Sequence, residues 1–488
     1  MSATRISRRE MLKGMGLLAA GTVLAACAPA PATPEKPAEE AKPAEAPPKV
    51  EKEVILEIGA SNPEYQNAER QIWDVFEAEH PGIKVKMWSV NEDTVAAFQA
   101  KVAGGYTPAF GPTWAFITGE INKENYQNFV DLSTIDFPWW DRLTHDPLHK
   151  VPELYGFGPR SIDIFSGFVF TWMYHADLME KAGLDPRRDV KTWDDLKKFL
   201  EEGTAWAKAT PEVDYFWDQG WHSWVFGANY IRMIPLAFPD GQQQDNYDCW
   251  TGKKKFNDPD SPFRHTFEFF KEAYDKGWIP ENWWTREWET DMEASYIAKK
   301  SVMMLHGPWP WDKMLAADPT AEQLGFPSTP PAEGQETWVQ YMGPVRYTAG
   351  PACILEKARQ LPEWPQIVEA FAWYHSPKAV KMRAEVLGRP VLYKLDEPLE
   401  LTGPQWVGVV KDIATPGGLW EDVQYTTGVW GTTVAGPHRK GGSPGVWDWE
   451  SGAFVEQWAA LMTGKKTVQE VLDWAQANWE QSYEWSES

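Results

Sequence analysis

The sequence is poor in cysteine and has no apolar run long enough to cross a membrane. Three cysteines occur in 488 residues, and no Cys-x-x-Cys pair or Cys/His spacing indicates a metal site. The apolar run that ends at Ala26 is shorter than the roughly 20 residues that a spanning helix needs. Apart from Cys27, only Cys249 and Cys353 remain, which can form one disulfide or stay as separate buried thiols.

The sequence also lacks clusters of positive charge. Its formal net charge is −23, which disfavours binding to nucleic acid or to anionic lipid surfaces, because both need grouped Lys and Arg. A neutral or cationic ligand is the simpler expectation. There is no phosphate-binding P-loop and no convincing G-x-G-x-x-G pattern. We therefore expect neither a cofactor nor a metal.

Short stretches of the sequence match the spacing of motifs from hydrolytic enzymes, but the residues around them do not fit such sites. Residues 441–445 (GGSPG) match G-x-S-x-G, but the nucleophile of a serine hydrolase needs a strand before it and a helix after it. His145 and His149 have the spacing of a zinc protease, but Pro147 interrupts the helix that such a site requires. Pairs of carboxylates suited to glycoside hydrolysis would arise by chance among 70 acidic residues. The sequence therefore predicts a protein that is not an enzyme.

The first residues have the features of an export signal and a lipid anchor. Arg8 and Arg9 lie in SRREMLK, which resembles the twin-arginine export signal, and a short apolar run follows. That run ends in LAAC, which resembles a bacterial lipobox with Cys27 as the lipidated residue. We expect a lipoprotein signal peptide at 1–26 and, at 27–52, the lipidated cysteine and a tether rich in Pro, Ala and Glu. The alternatives are an ordinary signal peptide and a short membrane helix.

Tryptophan is unusually abundant, with 30 residues in the chain. An indole combines a flat apolar face with an N–H donor, and a pyranose ring presents the matching combination of an apolar face and polar groups. Most of these indoles must still pack in a core. We expect this of the ones that lie in helical patterns beside other apolar residues, which are Trp73, Trp193, Trp206, Trp373, Trp458, Trp474 and Trp479.

The start of the folded part predicts a strand, a helix and a second strand. VILEIGA (54–60) is strand-like, apolar residues follow at helical spacing up to HPG (80–82), and IKVKM (83–87) alternates like a second strand. This pattern is a βαβ unit and predicts a largely parallel α/β sheet. Further helices are expected at 192–203 with Thr192 as N-cap, at 262–276, and after a capping box that starts at Thr467.

Four segments in order resemble the extracellular solute-binding proteins of ABC importers, specifically the sugar-binding group that includes maltodextrin-binding protein. The segments are FEAEHPGIKV (76–85), YHADLMEKAGL with TWDDL (174–184 and 192–196), KSVMMLHGPW (300–309) and AFAWYHSP (370–377). Each segment is a weak signal, but together they occur in the family's order behind a lipobox.

The resemblance implies an α/β, two-lobe fold of the periplasmic-binding-protein type, with a hinge and a ligand cleft between the lobes. A chain of 488 residues is also too long for one hydrophobic core. We expect the N-lobe at 53–160 and 343–392, and the C-lobe at 161–342 and 393–488. On this division Cys249 and Cys353 lie in different lobes, which disfavours a disulfide between them.

The resemblance also carries over ligand-binding residues. Trp309 stands where the family has its main sugar-stacking indole, and its alternative role is packing at the end of a strand. The other residues expected to contact ligand are Trp114, Asp163, Arg160, Ser61, Asn62, Trp447 and Trp449, with weaker support for Trp221, His222 and Trp224. For Asp163 and Arg160 the alternative is a surface ion pair.

These expectations combine into a receptor that a lipid on Cys27 holds outside the cytoplasm, in a periplasm or on the outer face of the cell membrane. It would bind a carbohydrate, expected to be an oligosaccharide, and deliver it as a monomer to an ABC permease by hinge closure. The alternatives are a receptor for a polyamine, a peptide or another solute, and a secreted hydrolase or lyase that acts on carbohydrate.

Overall fold

The computed structural model describes most of the chain beyond residue 52. The described ranges are 53–60, 66–89, 92–116, 127–143, 147–149, 157–162, 170–222, 230–241, 254–307, 310–319, 323–344, 352–387, 393–400, 424–428, 437–439 and 452–485, with single positions at 152, 164, 245, 248, 249 and 391. By its contacts the chain divides after Glu51, and every described residue belongs to the unit Lys52–Ser488. No helix in these ranges is long and apolar enough to span a membrane.

The elements are numbered in chain order. The strands are β1 (Val54–Ala60), β2 (Ile83–Ser89), β3 (Thr171–His175), β4 (Tyr215–Asp218), β5 (Ser301–His306), β6 (Gln323–Phe326), β7 (Val339–Pro344), β8 (Gln424–Gly428), β9 (Pro437–Arg439) and β10 (Tyr483–Trp485). The helices are α1 (Gln66–Glu79), α2 (Glu92–Ala103), α3 (Thr113–Phe116), α4 (Ala176–Lys181), α5 (Pro186–Asp189), α6 (Trp193–Lys208), α7 (Ile231–Met233), α8 (Arg264–Asp275), α9 (Ala294–Ile297), α10 (Trp311–Ala317), α11 (Trp364–Tyr374), α12 (Pro377–Leu387), α13 (Gly452–Met462) and α14 (Val468–Ser482). A π-helix, Trp288–Glu293, precedes α9.

The predicted strand, helix and strand at the start of the folded part are confirmed. β1 and β2 pair in parallel, with Val54 opposite Ile83, and α1 connects them. Trp73 and Phe76 of α1 are fully buried in the same apolar cluster as residues of β1. The helix ends before Gly82, whose φ of +100° favours glycine. Burial of one face of α1 on this sheet therefore builds the start of a first core.

Residues 352–355 complete this first core from a distant part of the sequence. Backbone hydrogen bonds join them to Gly111 (2.8 and 3.1 Å), to Val130 (2.8 Å) and to Ile162 (3.0 Å). Next to Gly111, Phe110 pairs in parallel with β1. Residues 352–355 therefore lie between segments that precede them in the sequence. They provide hydrogen-bond partners for backbone groups of those segments inside the core.

A second core is built on a mixed sheet with the strand order β4-β5-β3-β6. β4 and β5 are parallel, whereas β3 is antiparallel to both β5 and β6. The expected largely parallel arrangement is therefore correct for β1 with β2 and for β4 with β5, but wrong for β3. The order of strands and helices in a sequence does not fix which strands become neighbours, and here β5 lies between β3 and β4.

Helix α6 is capped as its sequence predicts, although it extends to Lys208 rather than ending at Gly203. The Thr192 hydroxyl accepts a hydrogen bond from the Asp195 amide (3.2 Å), and the Asp195 carboxylate accepts one from the Thr192 amide (3.0 Å). Gly203 lies against the ring of Phe216 in β4, where an added Cβ would be 2.2 Å from the ring. The helix therefore continues past this glycine because it packs directly on β4.

The tryptophans predicted for the core are confirmed as buried or partly buried. Trp73, Trp193 and Trp458 are at most 3% exposed. The others pack partly buried against the two cores, and these are Trp206, Trp373, Trp474 and Trp479. Near the C-terminus the Thr467 capping box is also found, since the Thr467 amide donates to Glu470 (2.7 Å) and the Glu470 amide donates to the Thr467 hydroxyl (3.2 Å).

The two cores draw on alternating parts of the chain. Buried apolar residues of the first core lie before residue 165 and again between 352 and 393, and those of the second lie between 170 and 339 and again after 454. The expected lobe boundaries stay a prediction as a whole. However, Ile162, Ile164 and Tyr393, which these boundaries place in the C-lobe, pack in the first core. There Ile162 pairs with Ala352, and Tyr393 pairs with Leu143.

Cys249 and Cys353 are free thiols and both are buried. Cys249 packs in the second core, and Cys353 packs in a smaller cluster with Phe129 and Leu355. Burial raises the pKa of Cys249 to about 12 and also raises that of Cys353. Of the two arrangements that the sequence allowed, the structure has separate buried thiols.

Replacing Thr192 by Ala should lower the free energy of unfolding by about 1 kcal/mol, because the amides at the start of α6 lose their cap. Urea unfolding followed by circular dichroism measures this loss. Thr192→Ser keeps a hydroxyl and should stay close to the wild type. An Ala variant as stable as the Ser variant would show that the capping box does not stabilise the helix.

Candidate functional site

Most of the residues expected to bind ligand lie outside the described part of the chain. These are Ser61, Asn62, Asp163, Trp224, Trp309, Trp447 and Trp449. The anchor residue Cys27 lies outside it as well. The backbone of Trp114 is described as part of α3, and Arg160 is described with its side chain. The ligand-binding roles of all these residues stay predictions, and the structure shows the elements that lead to them.

Two neighbouring strand ends of the first core lead to Asn62 and Trp114. Asn62 follows β1 within two residues, and the segment before α3 pairs in parallel with β1 through Phe110. The Gly59 amide donates to the Phe110 carbonyl (2.9 Å), and a Cβ on Gly111 would lie 3.3 Å from the Cα of Gly59. Because parallel strands end at the same edge of a sheet, the chain leaves both strands on one side.

Arg160 holds parts of the first core together. Its guanidinium donates to the Phe129 carbonyl, and Nη2 lies 3.9 Å from a carboxylate oxygen of Asp131. Asp131 also fills the space beside Gly158, where an added Cβ would be 2.3 Å from Oδ1. The Arg160 side chain is only 18% exposed. The observed partner of Arg160 is Asp131, Asp163 lies outside the described residues, and a contact between Arg160 and ligand stays a prediction.

The second core has a comparable edge where the parallel strands β4 and β5 end. β4 ends at Asp218 and β5 ends at His306, and both side chains are fully buried. Trp221 and His222 follow β4, and Trp309 stands three residues after His306 in the sequence. Ligands of α/β proteins bind outside the carboxyl ends of the strands. We call this edge, with the loops that follow the two strands, the β4–β5 edge.

A buried ion pair fixes the end of β4. Nη2 of Arg286 lies 3.0 and 2.9 Å from the two carboxylate oxygens of Asp218. Burial raises the pKa of Asp218 to about 6, although the charge of Arg286 opposes this shift. The Arg286 carbonyl also accepts from the Trp221 amide (2.8 Å). Gly220 permits this approach, because a Cβ there would be 3.1 Å from the Cα of Trp288.

A second buried cluster fixes the end of β5. The rings of His306 and Trp288 stack with centroids 3.9 Å and planes 8° apart. Nε2 of His306 lies 3.0 Å from Oε1 of Glu293, and Nζ of Lys313 lies 3.1 Å from Oε2. Burial acts to raise the pKa of Glu293, but His306 and Lys313 outweigh it and hold this pKa below its usual value. The ring of His222 is 5.5 Å from that of Trp288, so Trp288 contacts residues from both strand ends.

Arg286, Trp288 and Glu293 also belong to this edge, and their sequence pattern alone does not indicate it. They lie in WWTREWETDME (283–293), which has no strand or helix periodicity, and only the tertiary fold brings it beside β4 and β5. The π-helix in this segment is a rare turn that occurs frequently at functional sites. A dense mixture of aromatic and charged residues was the one signal that could have indicated it.

The β4–β5 edge offers aromatic rings and hydrogen-bonding groups. Its buried acids, Asp218 and Glu293, are each paired with a cationic side chain. Within the described ranges, no group of three or more His, Cys, Asp and Glu side chains is placed to hold a metal ion. Trp221 and His222, which follow β4, are only partly buried, and an indole and an imidazole can contact a polar ligand through a ring face or a hydrogen bond.

The sequence matches the profile of the family described as bacterial extracellular solute-binding protein over residues 59–379. This range runs from the end of β1 into α12 and includes β2 and the four-stranded sheet of the second core. No curated protein matches the sequence significantly.

Several solved structures of binding proteins superpose on this chain. A chitin oligosaccharide binding protein does so with a TM-score of 0.61 at 17% identity, covering 88% of this chain and 98% of that one. RafE in complex with raffinose gives 0.58 at 16% identity, covering 87% and 98%. The maltose/maltodextrin-binding domain MalE from Bdellovibrio bacteriovorus, bound to maltotriose, gives 0.54 at 17% identity, covering 88% and 99%. At such identities these likenesses show the fold alone.

The fold is thus the two-lobe α/β fold of periplasmic binding proteins, with a hinge and a ligand cleft, as the resemblance implied. The family match implies a location outside the cytoplasm. Because the match covers well over half of the sequence, this chain belongs to the bacterial extracellular solute-binding protein family.

Proposed function

We propose that the protein is a membrane-anchored receptor that binds a carbohydrate, expected to be an oligosaccharide, and delivers it to an ABC permease by hinge closure. The observation that carries the proposal is the family match, which extends across both cores. Proteins of this fold close two lobes around a ligand by rotation about a hinge. Delivery needs only binding and release, so the receptor breaks no bond in the ligand.

A carbohydrate is the ligand class that composition and structural likeness favour. The proteins that superpose on this chain include binders of chitin oligosaccharide, raffinose and maltotriose. Trp309 and Trp114 would stack on the apolar faces of sugar rings. Asp163 would accept hydrogen bonds from hydroxyl groups of the sugar, and the Asn62 amide could both accept from them and donate to them. Each hydroxyl group would cost about 1–3 kcal/mol if it were buried unpaired. Trp447 and Trp449 would add a further stacking position.

The alternatives demand acids that can reach the ligand. A polyamine receptor needs open carboxylates, and a hydrolase or lyase needs an acid or base in contact with its substrate. At the β4–β5 edge, Asp218 is fully buried and Glu293 is 2% exposed. Asp218 forms an ion pair with Arg286, and Glu293 pairs with His306 and Lys313. These two acids are therefore not the open carboxylates that a polyamine receptor or a carbohydrate-cleaving enzyme needs.

The anchor is proposed from the sequence around Cys27. Each buried lipid CH₂ group contributes about 0.8 kcal/mol to membrane binding, so several acyl chains on one cysteine would hold the protein firmly. The tether that follows is rich in Pro, Ala and Glu, which favours an extended spacer. A monomeric receptor on such a tether stays close to its permease while its lobes remain free to close.

A panel of maltotriose, raffinose and chitotriose should contain at least one sugar that raises the melting temperature without being converted. A sugar at 100 times its dissociation constant should add about 2.7 kcal/mol to the free energy of unfolding. Trp309→Ala should abolish the rise, because the stacking face is lost. Thermal unfolding measures the shift, and chromatography of the incubated sugars detects any conversion.

Trp206→Ala is the matched control, because it removes an indole from α6 that packs on the outside of the second core. This variant should melt lower than the wild type but keep the full sugar-induced rise. Sugar fragments in the incubation would support the hydrolase alternative and contradict the receptor. If sugar still raises the melting temperature of Trp309→Ala, Trp309 is not part of the binding site.

Cys27→Ala should release the protein from the membrane, because the lipid can no longer be attached. In cells grown with radiolabelled palmitate, the wild type should carry label and sediment with membranes, and the variant should be unlabelled and stay in the supernatant. Cys249→Ala is the control, because it removes a buried thiol that is more than 200 residues from the signal in the sequence. Equal labelling of wild type and Cys27→Ala would contradict the lipid anchor.

A further inference from the structure

The segment 286–288 lies against the chain where it leaves β4. β4 is the first strand in the order β4-β5-β3-β6, so it lies at the edge of this sheet. Shortly after β4 ends, Trp221 pairs in parallel with Glu287, and the Trp221 amide donates to the Arg286 carbonyl (2.8 Å). The backbone that follows β4 therefore finds a hydrogen-bond partner in a segment that comes much later in the sequence.

The Arg286 side chain binds the same strand. Its Nη2 donates to both carboxylate oxygens of Asp218 (3.0 and 2.9 Å), and its guanidinium carbon lies 5.1 Å from the centre of the Tyr215 ring at the start of β4. The Asp218 side chain is 0% exposed and that of Arg286 is 16% exposed, so solvent screens their attraction weakly. Arg286 thus contacts β4 with its guanidinium and the loop after β4 with its carbonyl.

Gly220 allows the two segments to come this close. A Cβ at this position would lie 3.1 Å from the Glu287 carbonyl oxygen, 3.1 Å from the Cα of Trp288 and 3.2 Å from the Arg286 carbonyl oxygen. These three atoms belong to the backbone, which cannot rotate out of the way as a side chain can. Any larger residue would therefore have to move the segment 286–288 away from the loop.

The loop residues next to this contact are aromatic. Trp221 and His222 are both partly buried. The Trp221 ring lies 6.1 Å from that of Phe454, and the His222 ring lies 5.5 Å from that of Trp288. Both residues follow the carboxyl end of a parallel strand, which is where ligands of α/β proteins bind. The segment 286–288 therefore sets where these two rings stand relative to the sheet.

We propose that Arg286 is a positioning residue that fixes Trp221 and His222 for ligand binding. This inference rests on the proposed function, because it gives Arg286 a task only in a protein that binds ligand at the β4–β5 edge. The guanidinium ties Arg286 to Asp218, and the Arg286 carbonyl ties the loop to Arg286, so the loop is held to the strand end. Without the guanidinium the two rings would be less well preorganised and would bind ligand less tightly.

The double variant Asp218→Asn/Arg286→Met tests this role without leaving a buried charge unpaired. Replacing both partners of a buried ion pair is often neutral for stability. At pH 7.5 the wild-type Asp218 is ionised, because this pH lies above its pKa of about 6. In the variant, the dissociation constant for the sugar selected from the maltotriose, raffinose and chitotriose panel should rise about tenfold, the scale found for partners that orient metal-binding side chains. Titration calorimetry at pH 7.5 measures this constant.

Hydrogen exchange followed by mass spectrometry tests the positioning without any sugar. In the wild type, the bond to the Arg286 carbonyl protects the Trp221 amide. In the double variant, peptides that cover residues 219–222 should lose protection, whereas peptides that cover β3 should keep it. Equal protection of 219–222 in both proteins would overturn the proposal. If the double variant does not fold, Arg286→Lys takes its place and should show smaller changes in the same direction, because it keeps the charge but not the planar guanidinium.

Glu77→Gln/Arg70→Met is the matched control, because it removes another arginine–carboxylate pair. Arg70 donates to the Glu77 carboxylate (2.7 Å) and to the Val85 carbonyl (2.7 Å), so it also joins an acid and a backbone carbonyl, but in the first core. This variant should leave the dissociation constant and the exchange of 219–222 unchanged. A loss of affinity as large as that of Asp218→Asn/Arg286→Met would contradict a specific role of Arg286.

The two proposals fail in different ways. If wild-type protein binds no sugar of the panel, the carbohydrate receptor is contradicted, while hydrogen exchange still decides whether Arg286 fixes the loop. If wild-type protein binds sugar and Asp218→Asn/Arg286→Met binds it equally well, the positioning role is wrong and the receptor stands.

Discussion

The hydrogen bonds of residues 352–355 with the first core are the constraint on which the rest of the structure depends. They join a segment that follows the second core to the chain around Gly111, Val130 and Ile162, all of which precede it. The closed loop is long enough to contain the four-stranded sheet and its helices. The chain must therefore pass between the two cores more than once. Two cores that are joined by several connecting segments can rotate about these segments while each core stays packed.

The β4–β5 edge contains two buried charge pairs. Asp218 with Arg286, and His306 with Glu293, fix the ends of two adjacent parallel strands. Breaking one partner of such a pair leaves the other unpaired in a place with little water, which costs several kcal/mol. Both pairs draw on the segment 286–293, so one stretch of chain holds the ends of both strands.

Local chemistry explains which features could be predicted from the sequence. The βαβ unit, the caps at Thr192 and Thr467 and the buried indoles follow from periodicity and from side-chain hydrogen bonds between near neighbours. The antiparallel direction of β3 could not be predicted, because it depends on which strand inserts beside it. The segment 286–293 was missed for a similar reason: its residues acquire a role only through contacts with β4 and β5. The family resemblance indicated the fold correctly because its motifs lie on these same elements.

Small-angle X-ray scattering of the purified protein, with and without a saturating sugar from the panel, tests the central claim most directly. A receptor whose two cores rotate together around a ligand should show a smaller radius of gyration with sugar and an unchanged amount of intact sugar after the measurement. An unchanged radius at saturation, or a sugar that has been cleaved, would contradict a receptor that works by hinge closure.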